Sequence, residues 1–112
     1  MARLAAGRLR HRVSIHRLED SDDGRGGYVR SWHEIATVWA EVIGQGGREA
    51  LIDRSMQGIG QYRVTIRWRD DIRTNDQVRY RGRNLNIRSI EPDATDRVWL
   101  SMMCDTDAEA IG

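Results

Sequence analysis

The stretch Gln61-Tyr62-Arg63-Val64-Thr65-Ile66-Arg67-Trp68-Arg69 decides the fold class. Tyr62, Val64, Ile66 and Trp68 share one face of an extended chain, while Arg63, Thr65, Arg67 and Arg69 share the other. Successive side chains of a strand point to opposite faces. A period of two therefore marks a strand with one face buried and one turned to solvent or a partner.

The same period recurs outward from this segment. His11 to Leu18 sets Val13 and Ile15 against Arg12, Ser14 and His16. Thr37 to Ile43 aligns Val38, Ala40 and Val42, and further stripes run through Leu85, Ile87 and Ser89 and through Val98, Leu100, Met102 and Cys104. Turn chemistry separates the runs. Asp22-Asp23-Gly24-Arg25-Gly26-Gly27 supplies residues that tolerate positive φ. Asn75-Asp76 marks a second turn, and Gly82-Arg83 suits a tight hairpin between Val78–Tyr80 and Leu85–Ile87. Glu91-Pro92-Asp93 is expected to end a strand, which leaves the single proline outside every expected strand.

One segment does not alternate. Glycines 44, 46 and 47 open it and Gly58 and Gly60 close it. Between them Arg48 to Gln57 is compatible with a helix, with Ile52 and Met56 on one face. Such a helix is too short to stand alone and needs packing partners. The expected fold is mostly β: a small barrel or sandwich of about six or seven antiparallel strands, with one short helix in a long inter-strand loop. Residues 7–105 form the single domain, 1–6 an N-terminal arm and 106–112 a C-terminal tail.

The chain has 112 residues, enough for one hydrophobic core and not for two. Its net charge is only +1, so bulk charge is a weak argument for nucleic acid. All 18 basic residues are arginine, and phenylalanine is missing too. A GC-rich genome accounts for that bias, although arginine also makes firmer interfacial ion pairs than lysine. The charge falls in blocks. Residues 1–18 carry five arginines and no acid, while 19–27 carry four acids against Arg25. Residues 63–88 carry eight arginines against three aspartates, and 91–112 carry six acids against Arg97. Opposed faces of this kind can stack on copies of the chain or on other partners. A single cysteine, Cys104, fits a reducing compartment. No run approaches the roughly 20 apolar residues of a membrane span, and nothing resembles a secretory leader, so a soluble protein made in the cytoplasm is expected.

No constellation points to catalysis or to a metal. His11 and His16 differ by an odd number of positions and face opposite sides of a regular strand. Asp20-Ser21-Asp22-Asp23-Gly24 starts like a calcium loop, but Arg25 and Ser31 stand where glycine and glutamate belong. Cys104 reads as a small buried hydrophobe and not as a nucleophile. The glycine runs match neither a phosphate-binding loop nor a dinucleotide fingerprint. No cofactor is expected. Arg63, Arg67 and Arg69 form a basic face that can meet DNA phosphates or acids of a neighbouring subunit. Trp39 and Trp99 fall opposite the aliphatic stripes of their strands, where they face either an interface or a second buried layer.

The ordered series of these elements carries a resemblance. Gly7-Arg8-Leu9-Arg10-His11-Arg12-Val13-Ser14-Ile15 is followed by the glycine-rich turn, by Trp32 and by Ala36-Thr37-Val38-Trp39-Ala40-Glu41-Val42. Gly47-Arg48-Glu49, then Tyr62 to Trp68, Val78, Tyr80, Gly82-Arg83, Leu85-Asn86-Ile87 and a last strand ending at Cys104 complete it. Over residues 7–105 the chain resembles the phage head–tail joining proteins, the head-completion or stopper subunits of long-tailed phages and gene transfer agents. The resemblance implies a virion protein that forms a homo-oligomeric ring, a hexamer or a dodecamer, beneath the portal and its adaptor. It implies a ring that continues the channel for packaged double-stranded DNA and docks the tail terminator or other tail proteins. In stopper members a long inter-strand loop closes the channel. The matching stretch is Gly44 to Gly60, with Arg48, Arg54 and Gln57 as the residues expected to reach the DNA. An adaptor or tail-completion role and a free nucleic-acid-binding barrel are the alternatives.

Overall fold

A computed structural model of the chain describes residues 6–44, 60–92 and 96–106. The helix expected over Arg48–Gln57 lies outside them, as do most of the N-terminal arm and of the C-terminal tail. A short 3-10 turn, Ala6–Arg8, leads into six strands: β1 (His11–Asp22), β2 (Tyr28–Gly44), β3 (Gln61–Arg67), β4 (Gln77–Tyr80), β5 (Arg83–Pro92) and β6 (Trp99–Asp105). They close into an antiparallel barrel in the order β1-β2-β3-β6-β5-β4. Closure leaves the barrel without a free edge.

The apolar stripes fill the interior. Val13 and Ile15 of β1, Ala40 and Val42 of β2, Val64 and Ile66 of β3, and Val78 and Tyr80 of β4 meet Leu85, Ile87, Leu100, Met102 and Cys104 there. The barrel is therefore a packed core and not a pore. The tight hairpin between β4 and β5 turns on Arg81 and Gly82, one residue earlier than expected, with φ of 51° and 79°. Two successive positive φ values match the twist of the flanking strands, and the glycine takes its conformation without a Cβ penalty.

Three local readings change. Trp68 does not join the core stripe of β3: the strand ends at Arg67, and the Trp68 N–H donates to the Val98 carbonyl at 3.1 Å. On β5 the register shifts between Ile87 and Ser89, so Arg88 is an extra residue. That bulge reverses the alternation, leaves Ser89 exposed and turns Ile90 onto the core. Pro92 lies within β5 after all, opposite Leu100 at the last rung of the ladder. A missing N–H is tolerated at such an end position.

The largest departure is the length of β1 and β2. Their pairing continues to Asp22↔Tyr28, far beyond the expected His11–Leu18 and Thr37–Ile43. β4 pairs with β1 only from Ser14 to His16. From Arg17 to His33 the hairpin is thus a two-stranded ribbon that projects from the barrel as an arm. Its tip is built by aspartate side chains. Asp23 Oδ1 accepts the N–H groups of Arg25 at 2.7 Å and Gly27 at 3.1 Å, and Asp22 Oδ1 accepts that of Gly24 at 2.8 Å.

Candidate functional site

Two surfaces stand out, one on the barrel wall and one on the arm. On the wall, register aligns residues from four strands. Arg12 pairs with Trp39 across β1 and β2, and Arg67 pairs with Trp99 across β3 and β6. The β2–β3 ladder ends at Ala40↔Ile66, and extending its register by one residue sets Trp39 opposite Arg67; both line one shallow groove with Arg12, Trp68 and Arg69. The outer face therefore carries a cross-strand row Arg12–Trp39–Arg67–Trp99. The Arg12 guanidinium sits over the Trp39 ring at 5.1 Å, and that of Arg97 over Trp68 at 5.3 Å. Such contacts hold cations against aromatic faces while leaving both groups open to a further partner.

The three arginines expected to form one basic face differ in state. Arg63 and Arg67 are exposed on β3 and have no carboxylate partner among the described residues. Arg69 lies past the end of the strand and is held by both carboxylate oxygens of Asp71, at 2.9 and 2.8 Å. That hydrogen-bonded pairing raises the pKa of Arg69 and lowers that of Asp71. Between Arg63 and Arg67, Thr65 is buried, hydrogen-bonded to Ser101 at 2.9 Å. Glu41 shares that rung and is clamped by Arg8 through two bonds of 3.0 and 2.7 Å. The hydrogen bond to Glu41 raises the pKa of Arg8. Trp39 is 51% exposed and Trp99 is half-buried, so among the described residues no second buried layer covers Trp39.

The arm is rooted by a second network. Arg17 donates to both oxygens of the buried Asp76 at 2.9 Å and to the Asp71 carbonyl at 2.7 Å. Asp76 also accepts the Arg73 N–H at 2.9 Å. The hydrogen bond to Asp76 raises the pKa of Arg17. Because Asp71 touches both Arg17 and Arg69, the root of the arm and the end of the arginine–tryptophan row share one loop. Further out, the arm exposes Tyr28 and Val29 beside Glu19, Asp20, Asp22 and Asp23.

The remaining candidates are structural. His11 accepts or donates a hydrogen bond with the Tyr80 hydroxyl, and His16 bonds Ser14 at 3.0 Å, so the two rings are engaged separately. Burial, with a smaller push from Arg79, holds the His16 imidazole below its ordinary range. Cys104 is buried, and burial pushes its thiol up to about 12, which removes the thiolate a nucleophile needs. No group of three or more metal-ligating side chains occurs among the described residues. Within them, no helix is long and apolar enough to cross a membrane. Arg48, Arg54 and Gln57 lie outside the described residues. What sequence reasoning missed is the row itself: it is assembled from four strands, and periodicity within one strand cannot reveal register between strands.

Among the described residues the chain is a small closed β-barrel with a filled core and a projecting hairpin, and its charged and aromatic groups lie on outer surfaces. Residues 4–107 match the phage head completion protein family, and the chain belongs to that family. It is 32% identical over 108 residues to the head completion protein gp7 of Enterobacteria phage HK97, covering 92% of this chain and 96% of that one. The solution structure of a protein from Shigella flexneri 2a is similar, with a TM-score of 0.73 and 33% identity over 95% of this chain and 99% of that one. A chain in the virion of a native gene transfer agent particle shares the fold, with a TM-score of 0.66 and 20% identity over 88% of this chain and 94% of that one. The family is structural and not a family of enzymes. Membership makes the chain a virion protein, supports a head–tail joining role and implies assembly with other head and tail proteins.

Proposed function

We propose that the chain is a stopper or head-completion subunit that forms a ring, a hexamer or a dodecamer, beneath the portal and its adaptor. The ring continues the channel for packaged double-stranded DNA and docks the tail terminator or other tail proteins. One observation carries this reading beyond family membership. Among the described residues the interior is filled, the exposed indoles Trp32 and Trp39 lie on the arm and the outer wall, and Arg63 and Arg67 stand on that wall without a carboxylate partner. Arg63 and Arg67, with Arg69 beside them, face DNA or a neighbouring subunit, and Trp39 and Trp99 lie at an interface. The segment from Gly44 to Gly60 reaches the channel with Arg48, Arg54 and Gln57 toward the DNA.

Heads made without the chain should accumulate without tails, and purified protein should restore joining in vitro. Normal tailed particles in its absence would remove the reading. Deleting residues 48–56 should give heads that lose DNA while the barrel still folds. If those heads keep their DNA and join tails, the gate lies elsewhere.

A second reading, a single-strand-binding barrel, draws on the arginine–tryptophan row. Alternating cations and indoles suit backbone phosphates and stacked bases. Salt-dependent affinity of the isolated chain for single-stranded DNA would favour it.

A further inference from the structure

We infer that the arm of one subunit docks on the arginine–tryptophan wall of a second copy of this chain. This deepens the assembly reading above by naming the surfaces through which copies meet. Five large hydrophobic side chains are exposed among the described residues: Tyr28, Val29, Trp32, Trp39 and Met103. Tyr28, Val29 and Trp32 lie on the arm. Trp39 and Met103 lie on the wall, Met103 directly across from Arg63. Exposed apolar residues collected on two surfaces, with none elsewhere among those described, mark a pair of interaction sites.

The two surfaces are complementary in charge. Opposite strands of the arm bring Asp22 beside Tyr28, Asp20 beside Arg30, with which it forms an exposed ion pair at 3.2 Å, and Leu18 beside Trp32, whose ring already carries the Arg79 guanidinium at 5.6 Å, all on one face. The segment from Leu18 to Trp32 carries Glu19, Asp20, Asp22 and Asp23 against Arg25 and Arg30, an acidic balance. The wall offers Arg12, Arg63 and Arg67, none of which has a carboxylate partner among the described residues. Acidic groups interleaved with aromatic ones on the arm thus match arginines interleaved with indoles on the wall, which fixes register as well as attraction.

A chain cannot satisfy its own wall in this way. Arg12 and Asp22 are the near and far parts of one continuous strand. Ten residues of extended chain separate them by about 33 Å. A two-stranded ribbon is also marginal in water by itself, so the tip gains from being laid on another surface.

The test uses the full-length chain with its indole N–H signals as probes. NMR spectra recorded from dilute solution to the solubility limit should show the Trp32, Trp39 and Trp99 signals shifting together with concentration. Reversing the arm (Glu19→Arg with Asp20→Arg) or the wall (Arg12→Asp with Arg67→Asp) should weaken that self-association at least about tenfold. Asp22 and Asp23, which hold the turn, are left intact, and unchanged thermal melting checks that each variant folds. An equal mixture of the two reversed chains, or one chain carrying both reversals, should restore the shifts, because charge-swapped surfaces again match. Indole signals that do not move with concentration overturn the proposal. So does a wall reversal that neither the mixture nor the doubly reversed chain repairs, since the wall then meets DNA or another virion protein. Head–tail joining by the wild-type chain is scored separately, so a failure of the ring reading and a failure of this contact are distinguishable.

Discussion

The barrel and the arm are parts of the same two strands, yet they are held by different physics. In the barrel, β1 and β2 bury Val13, Ile15, Ala40 and Val42 against four other strands. In the arm the same strands pair only with each other, and Tyr28 is 77% exposed. What fixes the arm to the body is the Arg17 fork on Asp76, with the Asp71 carbonyl beside it, and the Arg79 guanidinium of β4 over the Trp32 ring at 5.6 Å. The comparison teaches that the chain divides its labour. One region is specified by what it hides, the other by what it leaves for a partner.

Breaking the barrel should have the largest effect. Ile66→Ala removes a fully buried side chain facing β2 and β6 and should cost about 2 to 5 kcal/mol in denaturant unfolding. Arg17→Ala comes next. It leaves the buried Asp76 carboxylate with the Arg73 N–H and should cost about 2 to 3 kcal/mol, with faster amide exchange from Leu18 to Trp32. Tyr28→Ser, at the far end of the arm, should change stability by less than about 0.5 kcal/mol, because its side chain is largely exposed. A loss as large as that of Ile66→Ala would mean the arm is part of the core after all.

The smallest expected effect is on pH. Burial and the Arg79 charge depress the His16 pKa, and His16 lies at the junction of the two regions. A depressed pKa means that the folded state resists protonation. The associated stability is present above the unfolded imidazole value of about 6.5 and is lost as pH falls through the folded value. His16→Gln should flatten the acid side of the melting-temperature profile without changing it above neutrality.

The same contrast explains what could be read from the sequence. The core faces of Val13, Ile15, Val64, Ile66, Leu100 and Met102 were legible because one-sided burial imposes a period of two. The arm was not, because both of its faces meet solvent and no alternation is required of Glu19 to Asp22. The signal available there was composition: Tyr28, Val29 and Trp32 directly after a glycine turn are residues that favour strands. Ile90 was missed because the extra residue Arg88 breaks the parity on which the stripe through Ser89 was counted. Trp39 and Arg67 were each legible as lying opposite the core stripe of their strand, with a second buried layer left open for Trp39. Their adjacency was not, since it depends on how β2 and β3 are registered, and the residues between those strands carry no local mark of it.

Hydrogen exchange, read segment by segment in the free chain and in assembled particles, tests the division most directly. In the free chain the amides of β3 and β6 should be the slowest and those of the arm from Leu18 to Trp32 among the fastest. On assembly the arm should become protected while the barrel changes little. An arm as protected as the barrel in the free chain, or one still unprotected in the particle, would contradict the account.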